Sequence, residues 1–136
     1  MIKPINRDTT LLSQKSLPAT QQDTATITDL MDTLEHHKDH CVGMAANMIG
    51  VNKRILVFQL GMMPVPMVNP VIVKKSGKYT AQEGCLSLDG ERSATRYQNI
   101  EVKYLDRNFV AQTQKFNGFV AEIIQHEMDH FEGILI

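Results

Sequence analysis

Near the end of the sequence stands His126-Glu127-Met128-Asp129-His130, an H-E-x-x-H pentapeptide. On a helix, residues four apart differ by about 40° around the axis and about 6 Å along it. His126 and His130 therefore point the same way and can share one metal ion. Glu127 sits beside the first imidazole, within reach of a water on that ion. This is the equipment of metal-assisted hydrolysis. Metallopeptidases of the zincin kind take their third ligand downstream of such a pentapeptide. Here only Phe131 to Ile136 follow, so the third ligand is expected from earlier in the chain.

Glu83-Gly84-Cys85-Leu86-Ser87 offers it. One Cys and two His make a catalytic-type set, three protein ligands with a fourth position open to water. As a thiolate, Cys85 suits Zn²⁺ or Fe²⁺. Taken singly, each feature has a plainer reading. A lone cysteine is usually a buried structural thiol, and paired histidines can simply face solvent. Together, in this order, they favour a metal centre.

Three segments resemble the signature motifs of peptide deformylases: Cys41-Val42-Gly43-Met44-Ala45-Ala46-Asn47-Met48, Glu83-Gly84-Cys85-Leu86-Ser87 and Gln125-His126-Glu127-Met128-Asp129-His130. The resemblance spans roughly residue 23 to the C-terminus. It implies removal of the formyl group from the N-terminal formyl-methionine of newly made polypeptides. It implies one divalent ion, Fe²⁺ in the cell with Zn²⁺ or Ni²⁺ as substitutes, held by Cys85, His126 and His130. Glu127 would take the proton of the attacking water and pass it to the leaving amine. The backbone N–H of Leu86 and a side-chain amide at position 48 would face the oxyanion. Val42, Gly43, Glu83, Gly84, Phe119 and Ile123 would hold the peptide and its methionine side chain.

Position 48 departs from that pattern. The family's glutamine is Met48 here, and a thioether cannot donate a hydrogen bond. Loss of one oxyanion donor costs on the order of 10²–10³ in rate, so weakened turnover is expected. The first glycine of the motif is Cys41 and its leucine is Met44. Two other functions share the same residues: hydrolysis of a different N-acyl group, or metal and peptide binding without turnover. A purely structural metal site would need a fourth protein ligand.

These residues require elements to carry them. Ile27, Leu30, Met31 and Leu34 form one helical stripe, with Asp23 or Thr24 able to cap its start. It ends at His36, His37 and His40, which read as surface groups. Arg54 to Leu60 reads as a buried strand, and Met67-Val68 with Val71 to Val73 as strand interrupted by Asn69-Pro70. Ser76-Gly77 reads as a turn and Ile100 to Tyr104 as a half-exposed strand. Asp106-Arg107-Asn108 reads as a hairpin turn before a strand from about Phe109 to Phe116. The last helix starts near Gly118 or Phe119, with a stripe of Phe119, Ile123, His126 and His130. The class is α+β: antiparallel sheets around a central H-E-x-x-H helix, plus an N-terminal helix. Residues 1–136 form one domain, with 1–22 an irregular N-terminal arm.

Bulk composition narrows the partners. Fourteen Lys plus Arg against fifteen Asp plus Glu leaves no basic block for direct nucleic-acid contact or an anionic membrane. No apolar run approaches the roughly 18 residues of a membrane span. The first eight residues lack the apolar core of a secretory signal. A cytoplasmic monomer that meets nascent formyl-Met chains, with transient ribosome association, is the resulting expectation. Cys41 then reads as a small core residue, or as a thiol able to pair with Cys85 on oxidation.

Overall fold

The computed structural model describes residues 1–85 and 87–134. Along the chain come helix α1 (Thr9–Leu12), helix α2 (Thr24–His36), strands β1 (Gly43–Ala45), β2 (Ile55–Leu60), β3 (Met63–Cys85), β4 (Leu88–Leu105) and β5 (Ala111–Asn117), and helix α3 (Gly118–Phe131). Four consecutive buried residues of β2 set the layering. Successive side chains of a strand leave opposite faces, so a strand buried throughout needs cover on both. Ile55 and Val57 pack with Ile27, Leu30 and Leu34 of α2. Leu56 and Phe58 pack with Ala121, Ile124 and Phe131 of α3. The sheet therefore runs between the two long helices, and α3 carries its catalytic-type residues against it.

The strands form one sheet in the order β1-β2-β3-β4-β5, each pair antiparallel. This is one continuous sheet where several were expected. Short connections between sequential strands explain the order, since antiparallel neighbours need only a turn between them. The expected turn at Ser76-Gly77 is absent. β3 runs through it, pairing Ser76 with Asn99 and Lys78 with Tyr97. Gly77 takes φ +75° within the strand, a conformation glycine adopts at little cost, so the ladder survives the irregularity. β3 also passes Asn69-Pro70 through a register shift between Val68 and Val71. Asn69 sits there at φ 51°, and its amide exchanges hydrogen bonds with the backbone of Ala19 at 2.8 and 3.0 Å.

The turn after β4 forms as expected. Asp106 Oδ1 accepts from the N–H groups of Asn108 and Val110. β5 begins later than predicted, at Ala111, because Phe109 is turned to φ 62°. Asp23 does not cap α2 with its side chain. Its carboxylate accepts from the N–H of Thr20 at 2.8 Å, stabilising the single 3₁₀ turn Gln21–Asp23 that precedes the helix. The N-terminal arm is not wholly irregular either. Thr9–Leu12 is helical, with Asp8 accepting from the N–H of Thr10 and Leu12 fully buried. The rest of the arm wraps the molecule through backbone hydrogen bonds to Met48, Asn52 and Phe131. Among the described residues, no helix is long and apolar enough to cross a membrane.

Candidate metal centre

Cys85 ends β3, opposite Leu88 of β4, where the pairing slips between Gly84 and Cys85. A slip of this kind re-aims a side chain, here toward α3. His126 and His130 lie on the buried side of α3. One donor atom each from Cys85, His126 and His130 falls within 4.8 Å of the others, and Cys85 Sγ is 3.4 Å from His130 Nε2. The sequence could state that these residue types belong together; the hairpin end and the helix face bring them together.

A buried ionic chain fixes the first imidazole. His126 Nδ1 is 2.7 Å from Glu83 Oε1, which leaves Nε2 as the ring atom able to bind an ion. Arg96, 3% exposed, donates to both oxygens of Glu83 at 2.7 and 2.9 Å and to Asp129 at 2.6 Å. Glu83 was expected to touch substrate; both of its oxygens are instead engaged by Arg96 and His126. Burial pushes the Glu83 carboxyl up, but the His126 hydrogen bond and the Arg96 guanidinium outweigh it and hold the group at about 2. Arg96 thus joins the site, whereas Arg92 stays at the surface on the carbonyl of Asp89.

The electrostatics suit a cation. Burial disfavours a charged His126. The Glu127 carboxylate and hydrogen bonds with Cys85 and Glu83 overcome that and raise the ring to about 10. The negative groups around His126 favour a cation here, and a metal ion has to displace the ring proton to bind. Burial lowers His130 to about 3, so its imidazole is neutral with a lone pair to give. Glu127 is buried, and burial raises it to about 7 despite the nearby His126. Its Oε1 has no hydrogen-bond partner among the described residues. Three convergent soft donors beside an unpartnered buried carboxylate fit a catalytic metal.

A cavity of about 440 Å³ opens beside these groups. Val42, Gly43, Met48, Glu83, Gly84, Phe119, Ile123, His126 and Glu127 all border it. Phe119 is 63% exposed and stands on its rim, outside the packed stripe expected of it. Leu86, expected to offer a backbone N–H, lies outside the described residues. Gly43 allows close approach: a Cβ there would meet Ile123 Cγ2 at 2.6 Å and Glu127 Oε2 at 3.0 Å.

Two supporting residues escaped the sequence reading. Asn47 Nδ2 donates to the carbonyl of His130 at 3.0 Å, tying the first motif to α3. Gln125 accepts from the N–H of Tyr97 and donates to its carbonyl, both at 2.8 Å. Their signal was an amide side chain on an otherwise apolar face, which a buried residue can carry only if it is hydrogen-bonded.

The polypeptide deformylase family model matches residues 2–136. The chain belongs to the polypeptide deformylase family. A peptide deformylase from Clostridium beijerinckii is 62% identical over 136 residues, covering all of both chains. One from Pelotomaculum thermopropionicum is 42% identical over 123 residues, covering 89% of this chain and 78% of that one. The crystal structure of peptide deformylase from Thermotoga maritima superposes with a TM-score of 0.89 at 29% identity, covering 99% of this chain and 95% of that one. A Met-Ala-Ser-bound deformylase from Acinetobacter baumannii superposes with a TM-score of 0.86 at 27% identity, covering 99% and 97%. This deformylase is a metal-dependent hydrolase that removes the N-formyl group from nascent peptides.

Proposed function

We propose that Cys85, His126 and His130 hold the metal and that Glu127 is the general base and acid of the hydrolysis. The observation that carries this reading is the convergence of the three donors beside the unpartnered Oε1 of Glu127. A bound ion would supply Lewis acidity for the hydrolysis. Glu127 accepts a proton from the attacking water and returns it to the methionine nitrogen as the C–N bond breaks, releasing formate and a free amine. A carboxyl near 7 suits both transfers, because proton exchange is best balanced when the group titrates near the working pH. Glu83 and Arg96 hold His126 in one orientation and one tautomer.

The formyl-methionine end of a nascent chain is the substrate we assign to the cavity. Val42, Phe119 and Ile123 border its apolar wall, and Gly43 and Gly84 leave room for the peptide backbone. Met48 supplies no donor, which supports a slower turnover than a glutamine would give. We assign Fe²⁺ as the cellular ion, with Zn²⁺ or Ni²⁺ able to replace it, since a thiolate and two imidazoles accept all three. We also assign a monomer in the cytoplasm with transient access to the ribosome; the free thiols of Cys41 and Cys85 suit a reducing compartment.

The test is hydrolysis of formyl-Met-Ala-Ser by anaerobic, Fe²⁺-loaded protein. Glu127→Ala is expected to lose about 10²–10⁴ in kcat while still binding one metal per chain. Equal rates for the two proteins would remove Glu127 from the chemistry.

A further inference from the structure

Met48 lines the cavity with Cys85, His126 and Glu127, yet it is only 1% exposed. Its sulfur accepts the N–H of Ala45 at 3.4 Å and lies 4.0 Å from Cys85 Sγ. The two sulfurs are spaced as ligands of one cation would be. Two donors each about 2.3 Å from one ion, and roughly 120° apart, lie about 4.0 Å from each other. The 3.4 Å from Cys85 Sγ to His130 Nε2 fits the same ion at a near-tetrahedral angle. A thioether has a second lone pair to give after accepting from Ala45.

Such a set discriminates among metals. Fe²⁺ and Zn²⁺ gain little from a neutral thioether and leave the fourth position to water. Thiolate, thioether and imidazole together select Cu(I).

We propose that Met48 is a further metal-binding residue, a thioether that closes the Cys85, His126 and His130 set around Cu(I), so that Cu(I) displaces the divalent ion and blocks turnover. This rests on the reading of Cys85, His126 and His130 as the metal centre.

Anaerobic competition against a chromogenic Cu(I) chelator tests it, with Zn²⁺ titrations of the same proteins and copper X-ray absorption. Met48→Leu keeps the apolar volume and removes the sulfur. It is expected to weaken Cu(I) binding at least about tenfold, to leave Zn²⁺ affinity within about threefold, and to reduce the sulfur ligands seen at copper from about two to one. The kept Zn²⁺ affinity reports an intact site; if Met48→Leu does not fold, Met48→Gln takes its place in every measurement. Wild-type and variant proteins with the same Cu(I) affinity, and one sulfur in each, would overturn the proposal while leaving the three-ligand centre standing. Cys85→Ser should lose both ions. Undiminished Zn²⁺ binding by Cys85→Ser would overturn the three-ligand centre, and the role of Met48 with it.

Discussion

Glu127 and Met48 face the same cavity with opposite chemistry. The carboxylate has an oxygen without a partner among the described residues. The thioether accepts the N–H of Ala45 and has no proton to donate. Catalysis gains most from groups that bind the developing charge more strongly than the substrate, and position 48 contributes none. Met48→Gln is therefore expected to raise turnover of formyl-Met-Ala-Ser at least about tenfold at unchanged metal content, a conservative share of the 10²–10³ that one oxyanion donor is worth. An unchanged rate would show that the amide cannot reach the substrate from this backbone.

At the scale of elements, the site is a junction of three pieces. β1 and the turn after it supply the cavity floor, the end of the β3–β4 hairpin supplies the thiol, and α3 supplies the imidazoles and the carboxylate. Their fit leaves no slack at Gly43. Gly43→Ala would put a Cβ 2.6 Å from Ile123 Cγ2 and 3.0 Å from Glu127 Oε2, so α3 or β1 must shift. Overpacking of this kind typically costs about 1–3 kcal/mol. The variant is expected to melt at lower temperature and to lose kcat/KM by at least about tenfold, because a small misplacement of a catalytic group costs rate steeply. Thermal unfolding and steady-state kinetics check both; wild-type values for both would mean the junction is looser than its geometry. Asn47 fastens the same junction from the far side, through the carbonyl of His130.

For the whole molecule, the ionic chain from Asp129 through Arg96 and Glu83 to His126 joins α3 to the β3–β4 hairpin. The Glu83 carboxyl sits at about 2 in the folded protein against an ordinary 4.5. The folded state then binds fewer protons than the unfolded one between those values. Its contribution to stability is complete above about 4.5 and is lost as pH falls through about 2. Glu83→Gln is expected to lower stability near neutral pH, since breaking a buried pair costs about 3–5 kcal/mol. It should also flatten the fall in melting temperature from about pH 5 to pH 2. Parallel melting curves for the two proteins across that range would assign the acid sensitivity elsewhere.

The sequence by itself singled out the residue types of a metal centre. His126, Glu127 and His130 at helical spacing, and Cys85 in its glycine-containing segment, could be picked out because ligand types and helix period are local properties. The two long helices and β2 were legible for the same reason, each having an apolar pattern of its own period. Ser76-Gly77 misled because glycine permits a turn without requiring one; the paired strand beside it decided that the ladder continues. Phe109 misled because its backbone angle answers to the turn built by Asp106. Only the tertiary structure decided that both oxygens of Glu83 are taken by Arg96 and His126, that Asn47 holds the carbonyl of His130, and that two sulfurs 37 positions apart in the chain lie 4.0 Å from each other. Those are contacts between distant segments. They exist because burial on both faces of β2 forces α2, the hairpin and α3 into one packing, which no local window of residues contains.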